Sequence, residues 1–185
     1  MSPELSSPWK EFLAELDALL DEPFQLHCVG GFAVVVGYGF PRATNDLDYR
    51  SLIPYNRIND LQALAGPGSD LAKKYKVHVQ HTGVESIPEN YEERLIELFP
   101  CRFRNIRLFV PDAYDLVLSK LTRNLERDRQ DVEFLARTQH LDPALLRERY
   151  EKELRPILIG PESRHDATLE FWLRAYFQKA EPESF

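Results

Sequence analysis

The sequence predicts an α/β (α+β) protein: a small mixed β-sheet flanked by helices, followed by a helical C-terminal part. Three observations predict it. Short runs with the two-residue period of strands, FQLHCV, TNDLDYRSLI, YKVHVQH and FRNIRLFV, all fall before residue 111. Segments of helical period lie between them. From residue 112 onward only helical patterns remain. The predicted organisation is a core over 1–111 and a helical part over 112–185 packed on it as one compact unit, because no linker composition separates them.

The elements follow in order. Residues 8–20, PWKEFLAELDALL, place Trp9, Phe12, Leu13, Leu16, Leu19 and Leu20 on one helical face, with Ser7 to cap and Pro8 in the first turn. Pro23 ends that helix, and FQLHCV reads as a short buried strand. Gly30-Gly31 turns the chain. FAVVVGYG then reads as a short helix on the sheet, although three consecutive valines also suit a strand. In TNDLDYRSLI, Asp46 and Asp48 point to one side and Leu47 and Tyr49 to the other. Residues 54–64 lead into a helix, GPGS is a loop, and YKVHVQH alternates as a strand. YEERLIELF is predicted helical. In FRNIRLFV, Ile106, Leu108 and Val110 alternate against Arg107 and Phe109. Asp112 caps the next helix, with Asp115 in a capping-box-like place. RDRQDVEFLART, PALLRERYEKEL (capped by Asp142) and ATLEFWLRAYFQKA complete the helical part.

Composition narrows the class. The chain has 185 residues, enough for one domain, with 43% hydrophobic and 29% charged residues, as in soluble globular proteins. No apolar run approaches the roughly 20 residues of a membrane helix, and the N-terminus shows no signal core, so a cytoplasmic protein is expected. Cys28 and Cys101 are expected to be two buried reduced thiols in strands. The formal net charge of -7 disfavours a broad nucleic-acid-coating surface. Locally, the stretch from Cys101 to Gln130 is rich in Arg and Lys, so one face can still be positive: the acidic balance disfavours long RNA but does not exclude a tRNA end held over residues 102–129.

Asp46 and Asp48 carry the chemistry. Two carboxylates on one strand face lie roughly 7 Å apart. Both can reach one divalent cation, or two cations about 3.5–4 Å apart. Mg²⁺ takes one or two carboxylates and completes its shell with water and substrate phosphates. Aspartate is poorly suited to strands, so two of them need a reason. A strand ending in Gly-Gly lets backbone N–H groups approach a phosphate closely.

The stretch GGFAVVVGYGFPRATNDLDYR resembles the signature of the polymerase-β-type nucleotidyltransferase superfamily. It is similar to the branch of small bacterial proteins that includes abortive-infection type (AbiEii-like) toxins: Gly30-Gly31, then Arg42, Thr44, Asp46, Leu47 and Asp48. A second block, DLVLSKLTRNLERDRQDVEFL, resembles that branch's helical motif at Asp115, Lys120, Arg123, Arg127, Asp128 and Asp131. Arg94 is a further position of the same kind.

The resemblance implies transfer of an NMP from an NTP, with Mg²⁺ or Mn²⁺ as cofactor. In it, Asp46 and Asp48 hold metal and act as catalytic residues together with Lys120 and Asp131. Gly30, Gly31, Arg42, Thr44, Lys120, Arg123 and Asp128 bind the nucleotide, with Asp128 and Asp131 orienting the two cations. It implies a toxin-like or defence-related protein whose acceptor is tRNA or another RNA, a protein or a small molecule, and whose partner is a cognate antitoxin or toxin.

The family also presents a third carboxylate from a later strand. Here YKVHVQH offers His78 and Gln80 instead, and Glu85 follows in a predicted loop. A catalytically impaired relative that binds nucleotide or a partner protein is therefore an alternative. A nucleotide-sugar glycosyltransferase is another, disfavoured by the early Gly-Gly and the short chain.

Overall fold

A computed structural model describes residues 5–83 and 86–177. The chain divides into two compact units: Met1–Glu85 with Tyr91–Asp112, and Ser86–Asn90 with Ala113–Phe185.

The first unit is built on a five-stranded mixed sheet. Helix α1 (Trp9–Leu19) precedes strand β1 (Phe24–Cys28). A single helical turn, α2 (Gly30–Phe32), continues into a π-helical turn over Ala33–Gly37. Strand β2 spans Asp46–Ile53, helix α3 Ile58–Ala65, helix α4 Asp70–Tyr75 and strand β3 His78–His81. Strands β4 (Ile96–Leu98) and β5 (Ile106–Val110) complete the sheet. The order is β3-β2-β1-β5-β4. Strand β1 pairs antiparallel with β2 and parallel with β5; β2 pairs parallel with β3, and β4 antiparallel with β5.

One face of the sheet is apolar. Phe24, Leu26, Cys28, Leu47, Tyr49, Leu52, Val79 and Leu108 are buried there, and α1 contributes Phe12, Leu13 and Leu16 to the same core. Burying a side chain such as Phe12 stabilises the fold by about 1.5–3 kcal/mol. The register slips between His27 and Cys28, whose partners are Ser51 and Tyr49, so Arg50 is the extra residue of a β-bulge in β2.

The second unit is helical: α5 (Ala113–Ser119), α6 (Glu126–Thr138), α7 (Pro143–Arg149) and α8 (Glu162–Tyr176). A π-helical turn at Tyr150–Leu154 and a 3₁₀ turn at Arg155–Ile157 follow α7. Leu116, Leu135, Leu146, Leu169 and Trp172 are buried. Asp142 caps α7 by accepting from the Ala144 amide at 2.9 Å.

Several expectations are corrected. YEERLIELF is not a helix but a 3₁₀ turn at Tyr91–Arg94 followed by β4. Pairing with β5 wins over helical propensity there: Leu98 is buried and Glu97 meets Arg107 across the strands at 2.9 Å. Helix α4 emerges from the stretch after GPGS, with the Ser69 hydroxyl accepting from the Ala72 amide at 3.1 Å. Ser7 does not cap α1; its hydroxyl donates to Glu11 at 2.8 Å. Leu19 is exposed while Leu20 is buried: at 100° per residue Leu19 falls at the edge of the stripe formed by Trp9, Phe12, Leu13 and Leu16. Cys28 is buried, but Cys101 is exposed on the turn after β4, with φ +63°. The predicted last helix runs to residue 180, and its end lies outside the described residues, as does Glu85.

Candidate active site

The site is positioned by the end of β1 and the start of β2. The β1 chain continues to Val29, whose amide donates to the Asp48 carbonyl at 2.9 Å. Gly30 then turns into α2 with φ +62°. A Cβ there would stand 2.5 Å from Asp48 Oδ2. Glycine is thus required twice at this point, by its backbone angle and by the carboxylate packed on it. A Cβ on Gly31 would meet the Arg42 guanidinium at 3.2 Å and the Thr44 hydroxyl at 3.3 Å.

Thr44 closes the other side. Its hydroxyl lies 3.3 Å from Asp46 Oδ1 and donates to a carboxylate that strand geometry alone would leave mobile. The Thr44 carbonyl accepts from the buried Trp9 indole at 3.2 Å, which fixes the entrance to β2. Arg42 stacks over Phe40 at 5.5 Å. Gly30, Gly31, Arg42, Thr44, Asp46 and Asp48 are therefore brought together, all within the first unit.

The two aspartates face away from the core, since Leu47 and Tyr49 between and after them are fully buried. In the parallel pairing with β3, Asp46 lies beside His78 and Asp48 beside Gln80. His78 Nε2 is 3.5 Å from Gln80 Oε1. The neighbouring strand thus presents an imidazole and an amide where a third acid is expected. Among the described residues, no three His, Cys, Asp or Glu side chains converge as a metal-ligand set. Two carboxylates beside a Cβ-free backbone suit a hard cation that completes its shell with phosphate oxygens and water.

The same sheet face continues onto β1 with residues the sequence reading passed over. Gln25 Nε2 is 3.0 Å from His27 Nε2, and His27 Nδ1 is 3.2 Å from the Tyr91 hydroxyl. Burial holds the His27 imidazole below its ordinary range, with Glu92 acting in the opposite sense. The signal was present: Gln25 and His27 alternate with Phe24, Leu26 and Cys28.

In the second unit Lys120 and Arg123 do not share a helix face as expected. Helix α5 ends at Ser119, and both cations stand in the turn before α6, where Asn124 takes φ +47°. Asp128 and Asp131 do share a buried face of α6. Lys120 Nζ lies 2.9 Å from Asp131 Oδ2, and Arg123 grips Asp128 with two bonds of 2.8 and 2.6 Å. The Leu125 amide donates to Asp128 at 3.0 Å. Burial pushes the Asp128 carboxyl up, but the Arg123 bonds, the Leu125 amide and the Lys120 and Arg123 charges outweigh it and hold it below the usual range. Lys120 is only 3% exposed, whereas the Arg123 side chain is 56% exposed. Asp128 thus meets both cations, gripping Arg123 and lying 3.9 Å from Lys120, while Asp131 is the closer partner of Lys120. Asp115 is fully buried and pairs with Arg149 at 3.1 Å, while Arg94 ends a 3₁₀ turn of the first unit.

Residues 10–179 match a family model described as a nucleotidyltransferase of unknown function (DUF6036). The chain belongs to this nucleotidyltransferase family. No curated protein and no solved structure matches it. Membership implies a nucleoside triphosphate substrate and sets aside the glycosyltransferase alternative. No helix among the described residues is long and apolar enough to cross a membrane.

Proposed function

We propose that this nucleotidyltransferase uses Asp46 and Asp48 to seat Mg²⁺ or Mn²⁺ with the triphosphate, and that Gly30, Gly31, Arg42 and Thr44 bind the nucleotide. The observation that carries the proposal is the contact of Gly30 with Asp48: a Cβ-free backbone held against one carboxylate, beside a second carboxylate on the same strand face. When bound, the cation supplies neutralisation of phosphate charge. The protein's own part is positioning. Thr44 orients Asp46, the Gly30-Gly31 backbone leaves room for phosphate oxygens, and Arg42 beside Gly31 supplies a fixed positive charge. The acceptor oxygen bonds to the α-phosphorus, the bond to the β-phosphate oxygen breaks, and pyrophosphate and the acceptor's proton leave. Phosphoryl transfer of this kind rests on positioning and charge neutralisation more than on covalent help.

Lys120, Arg123, Asp128 and Asp131 enter the proposal through the resemblance: the cations meet triphosphate or pyrophosphate, and the acids orient them. A toxin-like or defence-related role with a cognate protein partner belongs to the same proposal. A second reading is favoured by one observation, His78 and Gln80 beside Asp46 and Asp48. In it the chain binds nucleotide without turnover.

One assay separates the two. Wild type and Asp46→Asn/Asp48→Asn are incubated with NTPs labelled at the α-phosphate, and separately at the γ-phosphate, with RNA or lysate as acceptor. Transfer of α-label but not γ-label, reduced at least 100-fold in the double variant, supports nucleotidyl transfer. Nucleotide binding with no α-label transfer supports the second reading.

A further inference from the structure

A line of polar side chains crosses the outward face of the sheet, and the nucleotide site uses none of them. Gln25 and His27 lie on β1, the central strand, and Tyr91 and Glu92 on the 3₁₀ turn before β4. Gln25 Nε2 lies 3.0 Å from His27 Nε2, His27 Nδ1 lies 3.2 Å from the Tyr91 hydroxyl, and that hydroxyl donates to Glu92 Oε1 at 3.3 Å. His27 is 3% exposed and Tyr91 5%, while Glu92 is exposed. The line therefore joins a buried imidazole to a carboxylate in solvent. Burying its polar groups costs desolvation that apolar side chains of the same shape avoid.

Both ends of the line fix the same proton positions. An ionised carboxylate only accepts, so the Tyr91 hydrogen goes to Glu92 and the Tyr91 oxygen accepts from His27 Nδ1–H. His27 Nε2 then carries a lone pair, which is what the Gln25 amide nitrogen requires of its partner. The imidazole is clamped by the Tyr91 ring at 5.9 Å and the Phe109 ring at 6.2 Å. The charged groups around this cluster are Glu92, Arg50 over the Tyr91 ring at 5.7 Å and Arg107 over the Phe109 ring at 5.0 Å. Burial, with the Glu92 charge, pushes the Tyr91 phenol up to about 12, so it keeps its proton at neutral pH. His27 stands at the Gly30 end of β1. Leu26, Cys28, Leu47 and Tyr49 are buried in the core, so His27 and Asp48 share the opposite face. The Val29 amide meets the Asp48 carbonyl, which puts the His27 and Asp48 backbones about 8 Å apart, two residues along and one strand across.

We propose that His27 is the general base of the transfer, and that Tyr91 and Glu92 carry the proton away. The inference rests on the nucleotidyl-transfer reading and deepens it, since that reading names no group to take the acceptor's proton. The acceptor hydroxyl takes the place of the half-buried Gln25 amide at His27 Nε2. As the acceptor oxygen bonds to the α-phosphorus, its proton passes to Nε2, the Nδ1 proton passes to the Tyr91 oxygen, and the Tyr91 proton passes to Glu92. The bond to the β-phosphate oxygen breaks and pyrophosphate leaves. One proton leaves the acceptor and one arrives on Glu92, which exchanges it with solvent. A base held in one tautomer by a further group that ends in a carboxylate is a recurrent device for activating a hydroxyl. His78 lies on the edge strand with only a long 3.5 Å approach to Gln80, whereas His27 lies on the central strand and is tied through Tyr91 to an acid.

The test follows α-label transfer by wild type, His27→Gln, Tyr91→Phe and Glu92→Gln across pH, with the nucleotide-induced thermal shift measured beside it. His27→Gln is expected to lose about 100-fold in kcat, with KM for the triphosphate and the thermal shift retained. Only the neutral imidazole accepts a proton, so the wild-type rate rises with pH through the His27 titration and then levels. Glu92→Gln removes a charge that favours the imidazolium, so its rising limb moves to lower pH, a shift that a merely structural role does not produce. Glu92 is exposed, so this variant keeps the test open even where His27→Gln does not fold. Tyr91→Phe interrupts the line and is expected to lower kcat several-fold at unchanged KM. NMR of wild type with isotope-labelled histidine rings is expected to show His27 protonated at Nδ1 and not at Nε2. Transfer by folded His27→Gln at the wild-type rate, an unmoved limb in Glu92→Gln, or a proton on Nε2 overturns the proposal and leaves nucleotidyl transfer standing. Wild type that transfers no α-label overturns both.

Discussion

At the scale of single residues, Gly30 is the most constrained position of the candidate site. Gly30→Ala forces a side chain into φ +62° and to within 2.5 Å of the Asp48 carboxylate. It is expected to cost about 1–3 kcal/mol of stability and to abolish nucleotide binding. Denaturant unfolding and an NTP titration of the refolded variant check the two parts separately. Asp128 makes a pH prediction. Its carboxyl titrates lower in the folded chain than in the unfolded one, where it lies near about 3.9. The stability it contributes is therefore present above that value and is lost as pH falls through the folded one. The gap in unfolding free energy between wild type and Asp128→Asn is expected to be largest near pH 6 and to shrink below pH 4. Removing Asp131 leaves Lys120 buried without its closest partner, so Asp131→Ala is expected to cost about 3–5 kcal/mol by chemical denaturation.

At the scale of elements, β2 decides how the site works. It begins at Asp46, directly after the Thr44 hydroxyl that orients that residue. Thr44→Val removes the hydroxyl while keeping the volume, so nucleotide affinity is expected to fall several-fold with the melting temperature nearly unchanged. Much of this element was legible in the sequence, because Asp-Leu-Asp-Tyr can bury only one side of a strand. The expected strand-turn-helix at Gly30-Gly31 was legible too, although the valine run suits either structure and only contact with the sheet decides it. What could not be read was set by distant partners. YEERLIELF becomes a strand because β5 lies beside it, and Lys120 and Arg123 fall in a turn because α5 stops at Ser119. Alternation with Leu26 and Cys28 marks the face of His27, but its partner Tyr91, 64 positions away, is set by the fold. The role of His78 depends on the register of β2 and β3, which no local pattern encodes.

For the whole molecule, the acidic balance and the family are compatible through unequal charge distribution. Asp46 and Asp48 make the start of β2 acidic, while Arg102 and Arg104 gather positive charge in the turn before β5. The central claim is that Asp46 and Asp48 seat a metal-bound nucleoside triphosphate. The most direct measurement is a thermal-shift titration of wild type and Asp46→Asn/Asp48→Asn with ATP, GTP, CTP and UTP, each with and without Mg²⁺ or Mn²⁺. A ligand that binds the native state at 100 times its Kd adds about 2.7 kcal/mol of stability, a rise of several degrees for a chain of this size. The account predicts such a rise with at least one triphosphate, dependent on the metal and lost in the double variant. No rise with any triphosphate, or an equal rise in the double variant, would contradict it.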